Sequence, residues 1–445
     1  MIDVDTFNRQ LYEEHLEEAS FLYEQRVHGL DDLELTWLDL AAYESRRDAH
    51  LAGLICGGPH ALAICREAGL AGDPGELFCA VYVHCRQADI MPLLEFLHEF
   101  EPSDPEHIRA LVEALVLACP QVWYKDLLYF AKDQVPIYRP VVLRLLAWYR
   151  NRLALTLLDE YATSADGLGS AFPWACGRIN ARHQVSELRR ILEAEDKNTD
   201  LRETALALLR LGDTELAPFL AKRARKPWTR LALGLCGGPG HCNKLMNATP
   251  TSSSTLLGLG LLGDVSGIPP LLGYLRRTEV APIAARALEL ITGATLFERA
   301  WVPEEPDEDV LSPAELEAWR DGKPVLNPNG NPAGEYVDRI SQDINTWLAW
   351  WRKNEEAFER GKRYRRGKLI TPKLLLDGMA DPHTPNMLRD LAHHELLIRY
   401  GCDVPFELEM PVAQQQRAIE QIAEWVAHND DRFKPGAWYS HGFLV

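Results

Sequence analysis

Basic residues are in short supply. The 445-residue chain carries 47 lysines and arginines against 65 aspartates and glutamates, a formal net charge of −18. A field of that sign repels phosphate, which argues against general binding of nucleic acid or of an anionic membrane surface. It also attracts a basic partner, although excess acid serves plain solubility as well. Long apolar runs are missing too: no stretch approaches the ~18 uninterrupted apolar residues of a membrane helix. Residues 1–30 open on Met1-Ile2-Asp3-Val4-Asp5 and carry Glu13, Glu14, Glu17 and Glu18, without the basic and apolar regions of a secretory signal. The nine cysteines, Cys56, Cys65, Cys79, Cys119 and Cys176 among them, are scattered through helix-like apolar runs rather than arranged as a framework. An odd, dispersed set reads as reduced, buried thiols, and the expected location is cytoplasmic.

Recognisable catalytic patterns are also lacking. His241-Cys242 near Cys236 and the pair His393-His394 complete neither a CxxC pair nor a HExxH pattern. Adjacent histidines on a helix point to different faces, so they read as structural and no metal is expected. Gly258-Leu-Gly260-Leu-Leu-Gly263 spells GxGxxG, but inside an apolar helical run with no strand before it. Its glycines are better explained as close-packing positions between helices. Gly237-Gly238-Pro239-Gly240 lacks the Lys-Ser or Lys-Thr of a phosphate loop, and no Gly-x-Ser-x-Gly elbow occurs. The cluster from Thr251 to Thr255 reads as a turn, with Ser254 or Thr255 capping the next helix. No cofactor is expected, and the chain is not expected to be an enzyme.

What is present is a repeat. Leu206-Ala-Leu-Leu-Arg-Leu211-Gly212-Asp213 followed by Pro218-Phe219-Leu220 matches Leu256-Leu-Gly-Leu-Gly-Leu-Leu262-Gly263-Asp264 followed by Pro269-Pro270-Leu271-Leu272. Each reads as an apolar helix, a Gly-Asp turn and a second helix opened by proline. Glycine ends the first helix in the left-handed conformation, aspartate caps the next, and proline is tolerated in a first turn. Looser copies of the junction are Leu54-Ile-Cys-Gly-Gly-Pro59, Ala88-Asp89, Ala118-Cys-Pro120, Cys176-Gly177, Leu235-Cys-Gly-Gly-Pro239 and Thr292-Gly293. A recurrence of roughly 25–35 residues is the period of a two-helix repeat, whose pairs stack into a right-handed superhelix.

The pattern predicts three segments: residues 1–295 as the repeat array, 296–334 as an acidic, proline-rich linker, and 335–445 as a C-terminal helical domain. The linker holds five acids in six positions from Glu304 to Asp309, and a capping box at Ser312 that starts a short helix. Helices are expected to resume over residues 335–358, 371–378, 387–400 and 411–429. The first of these, with Trp347, Trp350 and Trp351, is expected to cap the array.

The Gly-Asp helix pairs resemble bacterial HEAT-repeat proteins. The run Trp347-Leu-Ala-Trp350-Trp351, then Gly361-Lys-Arg-Tyr364-Arg-Arg366-Gly367-Lys-Leu-Ile-Thr-Pro372, then Leu388-Arg389-Asp-Leu-Ala-His-His-Glu395, narrows the likeness. It is similar to a HEAT-repeat family encoded beside type VI secretion genes, whose members include immunity proteins against GHH-type nuclease toxins. The resemblance implies an all-α fold, a HEAT-like α-solenoid of helix pairs with a C-terminal helical capping domain. It also implies a binding function: an immunity protein that occludes the active site or DNA-binding face of a DNase toxin. The alternative is an adaptor or chaperone that loads an effector onto the secretion spike. A lyase-like activity of some HEAT-like repeats is a third and more distant reading.

The residues expected to meet a basic toxin domain are Glu304, Glu305, Asp307, Glu308 and Asp309 in the linker, and Glu13, Glu17, Asp31 and Asp32 near the start. They would imitate a phosphate backbone, and such complementarity speeds association. Read plainly, the same acids are solvated surface. The basic run Arg360 to Lys368 could touch phosphate. The net charge favours its pairing with acidic surface of the same chain, or its stacking on Trp350 or Trp351.

Overall fold

The computed structural model describes residues 4–32, 34–102, 104–161, 169–195, 200–223, 226–248, 251–303, 311–327 and 330–445. The chain is predominantly all-α, about 67% helical, with short antiparallel strand pairs as the other regular structure among the described residues. No described helix is long and apolar enough to cross a membrane.

Two compact units are present. One combines Met1–Arg223 with Thr371–Val445, and the other is Ala224–Ile370. The breaks expected at 295 and 334 are therefore not where compactness divides the chain. Composition marks where helical sequence is interrupted, whereas a unit is defined by what packs together.

In the first unit, Val4–His28 packs against Leu40–Cys56 and Pro74–Cys85. Alternate helices then stack in series: Pro74–Cys85 on Pro105–Ala118, this on Arg139–Trp148, then Ala171–Arg178, then Leu201–Arg210. Local sequence sets where they begin. Asp73 accepts from the Glu76 N–H at 2.8 Å, and Asp104 from Glu106 and His107 at 2.9 Å each. A proline follows each aspartate inside the first turn, where its missing N–H has no partner to lose. Leu77, Phe78, Phe96, Leu111, Leu115, Leu143 and Leu146 are fully enclosed between helices. Each such side chain contributes ~1.5–3 kcal/mol by leaving water. Helices Pro372–Ala380, Asn386–Glu395 and Val412–Asn429 pack on one another and return the chain to this unit.

The Gly-Asp junctions form as expected. After Leu201–Arg210, Gly212 takes φ +83° and Asp213 accepts from the Glu215 N–H at 3.0 Å before Leu216–Lys222. In the other unit Ser253–Leu262 ends at Gly263, φ +73°, and Asp264 accepts from the Ser266 N–H at 2.9 Å. Two looser junctions do not hold: Thr292-Gly293 leads into the strand Phe297–Pro303, and Cys176-Gly177 lies inside Ala171–Arg178, with the turn following at Asn180. Gly177 serves contact instead, since a Cβ there would lie 3.2 Å from the Ala207 Cα.

In the second unit Pro227–Cys236, Ser253–Leu262 and Ala281–Thr292 stack in series. The GxGxxG letters prove to be packing. A Cβ on Gly234 would meet the Gly258 backbone at 2.7 Å, and one on Gly258 would meet the Arg230 carbonyl at 2.7 Å. The linker and the helix expected at 335–358 turn out differently. Phe297–Pro303 pairs antiparallel with Gly334–Ile340, with helix Pro313–Arg320 between them in sequence, and helix only resumes at Ile344–Asn354. Tyr336, Val337 and Ile340 are strand-favouring residues that the tryptophan helix overshadowed. Trp347 is buried and donates its indole N–H to the Ser341 carbonyl at 2.6 Å.

The basic run forms the hairpin Tyr364–Arg365 with Lys368–Leu369, which covers two helix ends of this unit. Its backbone N–H groups at Tyr364, Arg366 and Gly367 donate to the carbonyls of Gly263, Leu290 and Ile291. Arg363 and Arg365 are buried. They donate to the Leu262, Leu261 and Gly260 carbonyls at 2.9–3.2 Å. Among the described residues, these two arginines thus meet the negative end of a helix. Arg366 approaches a carboxylate, Glu289, at 3.9 Å.

Candidate functional site: an acidic helix face and a carboxylate-lined cleft

Of the residues expected to meet a partner, Glu304, Glu305, Asp307, Glu308 and Asp309 lie outside the described residues. Glu13 and Glu17 sit one turn apart on Val4–His28. Glu13 is partly drawn into an ion pair with Arg9 at 2.7 Å, while Glu17 is exposed. Asp31 and Asp32 are exposed in the turn beyond that helix, where Asp32 accepts from the Glu34 N–H at 2.8 Å. The helix therefore gathers Glu13 and Glu17 with Glu14 and Glu18, and the two aspartates lie past its end.

The same helix exposes apolar side chains. Phe7, Leu11 and Phe21 are 56%, 36% and 55% exposed. With Glu14 and Glu18 they follow helical spacing, at positions 7, 11, 14, 18 and 21, and so form one stripe with carboxylates in its middle. Leu16, Ala19 and Tyr23 on the opposite side, with Leu22 at the stripe's edge, are buried and hold the helix to its unit.

A second feature escaped the sequence reading. The first unit contains a cleft of about 680 Å³, walled by alternate helices from Pro105–Ala118 to Leu201–Arg210 and by Asp390, His394 and residues 407–409 from the late part of the chain. Two buried arginines pin the 407–410 segment. Arg178 donates to the Glu407 carboxylate at 2.8 Å. Arg26 donates to the Glu409 and Met410 carbonyls at 2.9 and 3.1 Å, and its Nε reaches Glu44 at 3.2 Å. Glu44 in turn accepts from the Val412 N–H at 2.9 Å.

The electrostatics of this cleft are uneven. Burial pushes the Glu113 carboxyl above the usual carboxylate range, against the pull of Arg26, Arg109 and Arg47. Surrounding protein pushes Glu203 up as well, against Arg210 and His394. Crowding by protein, and then the charges of Glu407, Glu113 and Asp390, push Glu409 up to about 7, although its side chain keeps a solvent-facing surface. Asp390 goes the other way. Burial opposes its charge, but His394, His393 and Arg210 together hold its carboxyl well below the usual range.

The histidine pair is structural in its contacts. His393 bonds the Val404 carbonyl at 2.8 Å, and burial drops its pKa to about 3. His394 lies 3.4 Å from Asp390 and 3.2 Å from an Arg210 nitrogen. Cys65, Cys79, Cys85, Cys119, Cys176, Cys242 and Cys402 are buried and in no disulfide. Burial raises Cys65 to about 12 and Cys242 and Cys402 to about 11. Among the described residues no three His, Cys, Asp or Glu side chains are grouped to hold a metal ion. Glu113 could have been found from sequence, because it interrupts the apolar run Ala110–Ala118 of a helix that buries nearly every neighbour. Compared with known protein families, with characterised proteins and with solved structures, the chain matches none.

Proposed function

We propose that this chain is a binding protein that silences a basic partner, an immunity protein against a nuclease toxin of a type VI secretion system. The observation that supports the reading is the exposed stripe of Val4–His28, with Phe7, Leu11 and Phe21 around Glu14 and Glu18 and with Glu17 beside them. At 1.5 Å per residue the stripe runs roughly 21 Å, enough for an interface core. Aromatic anchors in a polar surround are the usual composition of such a core. The carboxylates match the phosphate-binding face of a nuclease, and a net charge of −18 steers a cationic domain toward the chain. The chain then acts by covering the DNA-binding face or active site and catalyses nothing itself.

The test mixes purified chain with the nuclease toxin domain encoded beside it, at equimolar ratio, and follows DNA cleavage. Cleavage is expected to stop. The variant combining Phe7→Ala and Phe21→Ala is expected to weaken the complex at least tenfold. Undiminished cleavage with wild-type chain overturns the reading.

A further inference from the structure

The cleft of the first unit carries more negative charge than it uses. Six of its lining side chains are carboxylates and four are guanidiniums. Three of the carboxylates already have work. Glu407 is matched by Arg178 at 2.8 Å, Asp390 by His394 at 3.4 Å, and Asp200 caps Leu201–Arg210. The remaining three are less fully matched, although Tyr23 hydrogen-bonds Glu113 and Arg210 and His394 lie near Glu203. Glu113 is 8% exposed, yet its Oε1 has no hydrogen-bond partner. Glu203 and Glu409 enter no ion pair among the described residues, and both face the same cavity. A buried carboxylate left open is costly, and a cation brought to it relieves that cost.

The walls suit a cation with an apolar stem. Trp148 and Trp174 stand 6.4 Å apart, tilted by 31°. The chain already places guanidiniums on both rings: Arg144 lies 5.4 Å from the Trp174 centroid and Arg178 lies 5.7 Å from that of Trp148. The open Nε of Arg210 suits a backbone carbonyl of an entering segment. A volume of about 680 Å³ exceeds what one long side chain needs. An anion is the weaker candidate, because Arg109 and Arg202 are exposed and solvated, and Arg144 is held by the Ser170 hydroxyl at 3.0 Å.

We infer that this cleft receives a basic side chain, arginine or lysine, of a protein partner. Its cationic head sits among Glu113, Glu203 and Glu409, and its stem lies against Trp148. The inference rests on the reading of the chain as a binder of a basic protein and names where one residue of that partner goes.

The experiment is calorimetric titration of the full chain with an acetylated tetra-arginine amide, in ~0.15 M salt to screen the general field. One saturable site is expected. The variant combining Glu203→Gln and Glu409→Gln, both at accessible positions, should bind at least tenfold more weakly, as should Glu113→Gln. Replacing Glu14, Glu17 and Glu18 by glutamine should change this affinity less than threefold. Equal loss from the cleft and the helix variants would mean attraction to net charge alone and overturns the inference. Tighter binding of a tetra-glutamate peptide, lost in Arg144→Gln, overturns it as well. If the peptide binds in the cleft but no nuclease is silenced, the cleft assignment stands and the proposed function falls. If the nuclease is silenced equally by the Glu203→Gln, Glu409→Gln chain, the function stands and the cleft assignment falls.

Discussion

The Arg178 guanidinium donates to the Glu407 carboxylate at 2.8 Å across a sequence separation of 229 residues, and both side chains are almost fully enclosed. This pair fastens the late part of the first unit to the helix stack of the early part. Removing one member leaves the other buried without its counter-charge, which costs ~3–5 kcal/mol. Glu407→Ala is therefore expected to lower the urea midpoint of this unit strongly. Arg178→Met combined with Glu407→Leu is expected to recover most of the loss. Equal midpoints for Glu407→Ala and wild type would show that the pair carries no stability.

The arginines of the Tyr364–Leu369 hairpin are expected to matter for order at helix ends. Arg363→Ala removes donors from the Leu261 and Leu262 carbonyls, and hydrogen bonds to a charged group contribute ~1.5–3 kcal/mol each. Arg363→Lys should recover only part, because an ammonium lacks the planar fork. Amide exchange at Gly263 and Tyr364 reads this directly, and protection should fall in both variants, further in the alanine one.

Two glycines in helices of the second unit predict opposite signs. A Cβ at Gly258 would lie 2.7 Å from the Arg230 carbonyl, so Gly258→Ala should destabilise, by ~1–3 kcal/mol, as overpacking does. At Gly273 a Cβ meets nothing within 4 Å, and Gly273→Ala should stabilise by ~0.5–1 kcal/mol through lost freedom of the unfolded chain. Thermal denaturation of both variants against wild type checks the pair.

Stability should also carry a pH signature of the cleft. The Glu409 carboxyl rises from an ordinary 4.5 to about 7 on folding. Below 4.5 it is protonated in both states and its contribution is fully present. Between 4.5 and 7 the unfolded chain has released the proton while the folded chain still holds it, so stability falls as pH rises. His393, lowered from 6.5 to about 3, has the opposite slope, with stability lost as pH falls through that interval. Glu409→Gln is expected to reduce the decline in urea midpoint between about pH 5 and pH 7.5. An identical decline in variant and wild type would show that Glu409 does not titrate across that range.

Much of the fold was legible because its signals are local. Gly212-Asp213 and Gly263-Asp264 announce helix ends through backbone conformation and capping, which neighbours within a few residues decide. Ser312 with Glu315 announces a helix start in the same way, and the capping box is formed. The strand Gly334–Ile340 was missed because its partner, Phe297–Pro303, lies far off in sequence and pairing is not a local property. The cleft was illegible for a related reason. Glu113, Glu203, Asp390 and Glu409 are isolated acids in four separate segments, and only tertiary packing brings them to one cavity. The conspicuous acidic runs drew notice because they are contiguous, as solvated surface commonly is.

The first unit is discontinuous in sequence, and this gives the chain an order of events during its own synthesis. Ala224–Ile370 leaves the ribosome before the segment from Thr371 that completes the earlier unit. At ~5–20 residues per second that interval is on the order of ten seconds, long compared with helix formation. Throughout it Arg26 and Arg178 stand without the 407–410 segment, and the cleft has no far wall. The nascent protein is therefore blind to any ligand of that cavity until residues 407–410 have been made. The cavity gains that wall in one step, with the return of the chain to its beginning.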